Sequence, residues 1–232
     1  MQLAGKVVVI TRGLSEIGEV LAKGFRRQGA IVVIADANEN KLHQKAEEIG
    51  AVAIAADLII KSEVKKLVDK TAQLFGRIDL FVSSASFAEM SCSNLSEKNW
   101  NDSYRLNTMS QMYAAKYVLP YMINQKNGYL VNMIPIEGLL KEFRHGMYTT
   151  LKHPSLDFAE RMAITYKHLG IKVSVLCCDC FEHVENIRLQ NFTDSVVKGI
   201  DQEQFMICFE ENKANSYYKK LYESEMSYAI RA

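Results

Sequence analysis

The sequence predicts an α/β fold in which a doubly wound parallel sheet is flanked by helices on both faces. Apolar segments of strand length alternate with amphipathic segments of helix length throughout the 232 residues. The first of them, Lys6–Thr11, carries the β-branched run KVVVIT, which is typical of a strand buried on both faces. Strands that alternate with helices pair in parallel through right-handed crossovers, and ligands then bind at their carboxyl ends.

The other elements follow from the same alternation. Further strands are predicted at Ile31–Asp36, Ala51–Asp57, Ile78–Ser83, Tyr129–Ile134, Lys172–Cys177 and Phe205–Phe209. Helices are predicted at Ser15–Gln28, Glu39–Ile49, Ser62–Phe75, Trp100–Gln125, Tyr148–Leu169, Asp194–Ile200 and Lys213–Tyr228. The long fourth helix is expected to bend or break near Pro120, because proline removes a helical hydrogen bond. We interpret residues 1–232 as one domain.

Composition excludes several classes of function. The net charge of +1 gives no general attraction to nucleic acid. The longest apolar stretches have strand length, far short of the ~20 residues of a membrane span, and no signal peptide is apparent. The five cysteines are an odd number, and Cys177, Cys178 and Cys180 crowd together, which favours a reducing compartment over a disulfide framework. A cytoplasmic protein is therefore expected.

A chemical motif lies at the start of the long helix near residue 148. Tyr148 and Lys152 are four residues apart, so a helix places them on one face. Free tyrosine titrates near ~10, and a neighbouring cation favours its phenolate. The pair therefore suits acid/base chemistry.

The order of motifs resembles the short-chain dehydrogenase/reductase family over nearly the whole chain. The landmarks are the first strand with Gly18, Asp36, Asp57-Leu58, Gly76-Arg77-Ile78-Asp79, Asn107, Gly138, and Tyr148 with Lys152. The resemblance implies a Rossmann-like fold and an oxidoreductase that interconverts a hydroxyl and a carbonyl group with NAD(H). It also implies catalytic roles: Tyr148 is the acid/base, Lys152 lowers the pKa of that tyrosine and holds the nicotinamide ribose, and Asn107 completes a proton relay.

The resemblance implies a set of cofactor-binding residues as well. They are Thr11, Gly13, Ile17 and Gly18 in the phosphate-binding turn, Asp36, Asp57, and Lys152. A carboxylate at Asp36 accepts hydrogen bonds from the adenine ribose and repels a 2′-phosphate, so NAD(H) is favoured over NADP(H). The alternative is that Asp36, together with Asn38, and Asp57 cap the helices that follow.

The phosphate-binding turn departs from the family pattern T-G-x-x-x-G-x-G. Arg12 and Glu16 stand where two of the glycines belong. Like charges ~4 Å apart repel by ~4 kcal/mol at an effective dielectric of ~20, so Glu16 opposes a pyrophosphate. Arg12 either attracts a phosphate or pairs with Glu16 and fills the phosphate site with protein. A further alternative is that both side chains are solvated on the surface.

Other family positions are altered too. Pro135 falls at the catalytic serine and has no side-chain donor, and His145 is the titratable group nearest in sequence to Tyr148 that offers a substitute. Ser86 replaces a glycine, and Cys178-Asp179 replaces Pro-Gly, with His183 at the threonine that follows. The substrate lid, about residues 183–193, is short. Cys177, Cys178, Cys180 and His183 suggest a zinc or dithiol site, but alternating strand side chains split the cluster, so buried thiols are favoured and no metal is predicted.

These departures support a second function. The chain is then a non-redox member of the same fold that does not bind NAD(P): a pseudoenzyme, a binding or assembly subunit, or an acid/base enzyme that uses Tyr148. The resemblance implies a homodimer or homotetramer that associates through Trp100–Gln125 and Tyr148–Leu169. Apolar positions suited to that contact, or to the core, are Met109, Met112, Tyr113, Tyr117, Leu156 and Met162. The substrate is an unidentified small molecule.

Overall fold

A computed structural model of the protein describes residues 1–84, 96–134, 146–177 and 186–208, with the backbone alone for 146–149 and 186–190. Within these residues, seven strands form one parallel sheet in the order β3-β2-β1-β4-β5-β6-β7. They are β1 (Val7–Thr11), β2 (Ile31–Asp36), β3 (Val52–Ala55), β4 (Leu80–Ser83), β5 (Gly128–Met133), β6 (Ile171–Cys177) and β7 (Met206–Cys208). The strand order reverses between β1 and β4, which is the switch point where such sheets bind ligands.

Helices cover both faces of the sheet, as predicted. They are α1 (Glu16–Arg27), α2 (Glu39–Ile49), α3 (Lys61–Phe75), α4 (Glu97–Tyr104), α5 (Ser110–Asn124), α6 (Gly146–Tyr166) and α7 (Asn186–Asp201). One apolar core joins the sheet to α3, α5 and α6, and a second core joins the opposite face to α1, α2 and α7. No described helix is both long and apolar enough to cross a bilayer.

The long helix predicted over Trp100–Gln125 differs from the prediction in one respect. Its interruption is a π-helical turn, Arg105–Met109, between α4 and α5, and α5 runs on through Pro120 to Asn124. Proline has no backbone N–H, so one carbonyl group in the preceding turn lacks its helical hydrogen bond. Because Pro120 is exposed, that carbonyl group lies on the solvent side of the helix. The expected break at Pro120 was therefore wrong.

The end of the chain also differs in part. Helix α7 begins at Asn186, well before the predicted start at Asp194, so most of the segment expected to be a short lid is helical. Strand β7 confirms the predicted last strand, while Phe209 and the predicted helix Lys213–Tyr228 lie outside the described residues. One domain over residues 1–232 stays a prediction for the same reason.

Candidate active site

The turn after β1 is built by its own side chains. Ser15 caps α1: its hydroxyl accepts from the Gly18 amide at 3.1 Å and donates to the Arg12 carbonyl oxygen at 2.8 Å. Arg12 has φ of +49°, in the left-handed region that favours glycine. Arg12 thus adopts a backbone conformation that suits the glycine of the family pattern. The turn leads directly into α1.

The turn contains two glycines, Gly13 and Gly18, and close packing leaves no room for a side chain at either position. A Cβ atom on Gly18 would lie 2.3 Å from the Arg12 carbonyl oxygen, and one on Gly13 would lie 2.6 Å from the Ile34 Cβ atom. The Gly13 amide donates to the Ala35 carbonyl oxygen at 3.0 Å. Gly13 therefore keeps the turn close to β2, and Gly18 keeps the start of α1 close to the Arg12 carbonyl group.

Thr11 joins the turn to β4. Its hydroxyl donates to the Val82 carbonyl oxygen at 3.3 Å and accepts from the Ser84 amide at 3.0 Å. The Ser84 hydroxyl donates in turn to the Thr11 carbonyl oxygen. Because Thr11 is buried and uses its hydroxyl internally, its observed role is to position the turn. Ser84 stands in the stretch where the family usually has Asn-Asn-Ala-Gly, and the sequence showed no sign of its contact with Thr11.

The two predicted adenosine-binding aspartates lie at the ends of β2 and β3. The Asp36 carboxylate accepts from the Leu14 amide at 3.3 Å and the Ala37 amide at 2.9 Å. Asp57 accepts from the Ile59 amide at 3.1 Å. Neither residue caps a helix, because Asn38 caps α2 and Ile60 stands at the N-terminus of α3. The capping alternative was therefore wrong for both aspartates.

A cavity of about 210 Å³ opens between these carboxylates. Its walls are Arg12, Asp36, Ala37, Ala56, Asp57, Leu58, Ile59 and Leu106. Drug-sized ligands occupy pockets of about 300–1,000 Å³, so this cavity holds only part of a dinucleotide. Apolar walls with carboxylate acceptors beside them suit a purine base and its ribose.

Arg12 and Glu16 do not fill the phosphate position as a pair. Within the described residues neither side chain forms an ion pair, with each other or with any other group. Glu16 is exposed, whereas Arg12 is half-buried on the wall of the cavity. The paired arrangement was therefore wrong, and Arg12 stays available to an anion.

The N-terminus of α1 retains the donors that a phosphate needs. Among the described residues, no acceptor meets the backbone amides of Glu16 and Ile17, whereas Ser15 occupies those of Gly18 and Glu19. The first amides of a helix point outward and carry partial positive charge. The chain thus fits the diphosphate of a dinucleotide through backbone groups, although the Glu16 carboxylate lies on the same turn.

Two of the predicted catalytic residues, Lys152 and Asn107, meet where α6 packs on the π-helical turn. The Lys152 amine donates to the Asn107 carbonyl oxygen at 3.1 Å, and the Ser155 hydroxyl donates to the same oxygen at 3.1 Å. The Asn107 side chain donates to the Ser103 carbonyl oxygen at 3.0 Å. A π-turn shifts the backbone hydrogen bonds by one residue, and such turns are frequent at functional sites.

Burial determines the electrostatics of Lys152. Its side chain is completely buried. Burial lowers the pKa of Lys152 to about 7, and the positive charge of Arg12 contributes in the same direction.

Two site residues were not predicted, although helical spacing gives a signal for both. Ser155 lies three residues after Lys152, and Gln111 lies four residues after Asn107. Gln111 is buried, and its amide nitrogen donates to the Met133 carbonyl oxygen at 3.5 Å. Among the described residues, its Oε1 atom has no hydrogen-bond partner. A buried acceptor without a partner is rare in native structures.

Several predicted features fall outside the described residues. They are Ser86, Pro135, Gly138, His145, Cys178, Asp179, Cys180 and His183. The backbone of Tyr148 lies in α6, one turn before Lys152, but its side chain is not described. In the part of the chain that is described, no three metal-ligating side chains come together.

The fold and the site define a class of protein before any comparison. A parallel sheet with a phosphate-binding turn at its switch point, and carboxylates after the next two strands, is the architecture of dinucleotide-binding α/β proteins. The chain matches the short chain dehydrogenase family over residues 6–190. It therefore belongs to the short-chain dehydrogenase/reductase family of oxidoreductases.

Individual relatives agree with this assignment. An uncharacterized oxidoreductase of Thermotoga maritima is 30% identical over 181 residues, which cover 76% of this chain and 72% of that protein. The 3beta-hydroxysteroid dehydrogenase 2 of Eggerthella lenta is 26% identical over 183 residues, covering 75% and 70%. A crystal structure of a short-chain dehydrogenase/reductase from Burkholderia phymatum in complex with NAD has a TM-score of 0.83 at 19% identity, covering 98% of this chain and 96% of that one. That likeness shows a shared fold.

Proposed function

We propose that the protein is an NAD(H)-linked oxidoreductase that interconverts a hydroxyl and a carbonyl group on a small molecule. The observation that carries the proposal is the 3.1 Å hydrogen bond between the Lys152 amine and the Asn107 carbonyl oxygen. It joins two of the three proposed catalytic residues in a buried position, on the helix that also carries Tyr148. Burying a lysine amine at this position costs free energy, and the proposed chemistry gives the lysine a function there.

The proposed cofactor contacts follow the edge of the sheet. Asp36 and Asp57 face the adenosine cavity, and the Ile17 amide with the Arg12 side chain meets the phosphates. Lys152 holds the nicotinamide ribose. Thr11, Gly13 and Gly18 act through the shape of the turn, as their internal contacts support. When bound, the nicotinamide ring supplies or accepts the hydride.

The chain itself manages the proton. In the direction of reduction, the Tyr148 hydroxyl donates its proton to the carbonyl oxygen of the substrate. In its protonated form Lys152 stabilises the tyrosinate that remains, and the Asn107 carbonyl oxygen holds the lysine in place. Pro135 offers no hydrogen bond to the substrate carbonyl, and loss of one such donor lowers the rate by about 10²–10³. We therefore expect a slow enzyme.

A second candidate is a non-redox protein of the same family, as the sequence departures suggested. One structural observation favours it: Arg12 lines the cavity at a family glycine position, where its side chain takes up space that a glycine would leave to a dinucleotide. The two candidates differ in a single measurable property, the affinity for a nicotinamide dinucleotide.

Direct titration distinguishes the two. NADH and NADPH are each titrated into wild type, Asp36→Ala and Lys152→Met, with binding followed by nucleotide fluorescence. We expect wild type to bind NADH more tightly than NADPH, and Asp36→Ala to reduce that preference. Tyr148→Phe is the matched variant for turnover, since it should bind NADH normally and lose activity toward alcohols and ketones. Absence of binding of either nucleotide at millimolar concentration would overturn the redox function and favour the second candidate.

Of the six apolar positions suggested for a subunit contact or for the core, four belong to the core, whereas Met109 and Met112 are half-buried outside it. Leu156 is buried in the core, and Tyr113, Tyr117 and Met162 pack against that core. Among the described side chains of α4 and α6, the large apolar ones that are exposed are Trp100, Tyr104 and Ile164, each 40–41% exposed. We propose that these positions join a cytoplasmic homodimer or homotetramer. Elution as a monomer in gel filtration would contradict it.

A further inference from the structure

Two cysteines far apart in sequence become neighbours at the edge of the sheet. Cys177 ends β6 and Cys208 ends β7, and the parallel register pairs one directly with the other. Neighbouring strands lie about 4.7–4.9 Å apart, which is within the Cα separation of about 4.4–6.8 Å that a disulfide spans. Cys177 belongs to the core on the α6 side of the sheet and Cys208 packs against that same core, so both side chains are on one face.

The two thiols differ in access to solvent. Cys177 is 1% exposed, whereas Cys208 is partly exposed. Thiol exchange requires a thiolate that the attacking reagent can reach, so burial protects Cys177 and leaves Cys208 open to reaction. One accessible thiol beside one protected thiol is the arrangement in which the first reacts with an external partner and the second resolves the product.

We propose that Cys177 and Cys208 form a redox-active thiol pair that small-molecule disulfides, such as oxidised glutathione, convert reversibly into a disulfide between β6 and β7. The Cys208 thiolate attacks one sulfur of the reagent, forms a mixed disulfide and releases one small thiolate. The Cys177 thiolate then attacks the Cys208 sulfur and releases the second. Two protein thiols are oxidised, one small disulfide is reduced to two small thiols, and the two protons pass to those thiols.

The bond would act beside the proposed cofactor cleft. In the sequence, Cys177 comes directly before Cys178-Asp179, which replaces the family's Pro-Gly, and His183 follows at the position of the family's threonine. Strand β7 has only three residues, and three register pairs hold it to β6. The disulfide would fasten this short edge strand to the strand that leads into the cleft. The pairing of the two cysteines does not depend on dinucleotide binding. The proposal of a thiol pair therefore holds even if the protein is not an NAD(H)-linked oxidoreductase.

The test uses the intact chain with its other cysteines removed. Cys92, Cys178 and Cys180 are replaced by serine, and the folded protein is incubated with oxidised glutathione, then denatured, alkylated and weighed by intact mass spectrometry. We expect loss of both alkylatable thiols, a mass lower by two hydrogen atoms, a cross-linked peptide containing Cys177 and Cys208, and full reversal by dithiothreitol.

Two single variants in that background test the order of the steps. Cys177→Ser should stop at a stable glutathione adduct on Cys208, and Cys208→Ser should leave Cys177 unmodified in the folded protein. Peptide mapping of oxidised wild type is the control for the three serine substitutions. It should show the same cross-link between Cys177 and Cys208. The proposal is overturned if both thiols stay alkylatable, if each carries glutathione, or if wild type forms a different pairing.

Discussion

The Lys152 amine donates a hydrogen bond to the backbone carbonyl oxygen of Asn107 at 3.1 Å, and neither residue has any exposed surface. Burial of the amine, assisted by the charge of Arg12, lowers the pKa of Lys152 to about 7. An unfolded chain holds that proton until about pH 10.4. Folding therefore releases a proton from Lys152 across a wide range of pH, and this coupling can be measured.

Stability should rise with pH because of Lys152. Between about pH 7 and 10 the unfolded state binds the proton that the folded state has lost, so the free energy of unfolding increases by at most about 1.4 kcal/mol per pH unit. Below that window both states are protonated and the cost of burial is constant. Urea denaturation across this range measures the slope. In Lys152→Met the slope should be smaller, and equal slopes in both proteins would show that Lys152 is not the cause.

Tyr129 should reverse the trend at higher pH. The Ser174 hydroxyl donates to the Gln204 carbonyl oxygen, so Tyr129 is the donor in its 2.7 Å contact with Ser174. Burial raises the pKa of Tyr129 to about 12. Its contribution to stability is complete below about pH 10 and is lost as the pH rises toward 12. The same denaturation series should show this loss in wild type and not in Tyr129→Phe, and persistence in the variant would contradict the assignment.

Arg12 should contribute directly to dinucleotide affinity. A hydrogen bond from a charged group is worth about 1.5–3 kcal/mol, so Arg12→Ala should weaken NADH binding by about tenfold to a hundredfold. The dependence of that affinity on potassium chloride should also fall, because one charge pair is lost. Glu16→Gln is the matched control on the same turn and should strengthen binding. Tighter binding by Arg12→Ala would mean that Arg12 obstructs the cleft.

Gly18→Ala should damage the turn through backbone contact. The added methyl group would lie 2.3 Å from the Arg12 carbonyl oxygen, which Ser15 already uses as an acceptor. Overpacking of this kind costs about 1–3 kcal/mol in the free energy of unfolding, and NADH affinity should fall with it. Glu16→Ala, at an exposed position of the same turn, should change stability little. If both variants unfold at the same urea concentration, the close packing at Gly18 has been overestimated.

Gln111→Met should make the protein more stable. The buried Oε1 atom of Gln111 has lost its water on folding without gaining a partner among the described residues. Replacing it with an apolar side chain of similar length should raise the free energy of unfolding by about 1–2 kcal/mol. Gln111→Glu places a charge there and should lower it. Thermal and urea denaturation measure both changes; destabilisation by methionine would reveal a polar partner for this side chain.

Much of the fold was predictable because its signals are local. Buried β-branched runs and the glycines at 50, 76 and 170 placed the strands and the ends of helices to within a few residues. The chief errors were at Pro120 and in the segment before Asp194. A π-turn has no simple periodicity of its own. Helix α7 packs against α1 at Thr193, just before the predicted start, where a Cβ atom on Gly24 would lie 1.9 Å from the Thr193 Cγ2 atom.

By itself, the sequence determined the parallel α/β architecture and the family, since both depend on the order of motifs along the chain. The sequence also placed Tyr148 and Lys152 on one face of a helix, because residues four apart are neighbours there. Only the tertiary structure decided that Lys152 is buried against Asn107, that Arg12 lines the cavity unpaired with Glu16, and that Cys177 meets Cys208. These relationships join residues of different elements, and such contacts depend on how helices and strands pack, which spacing along the chain does not encode.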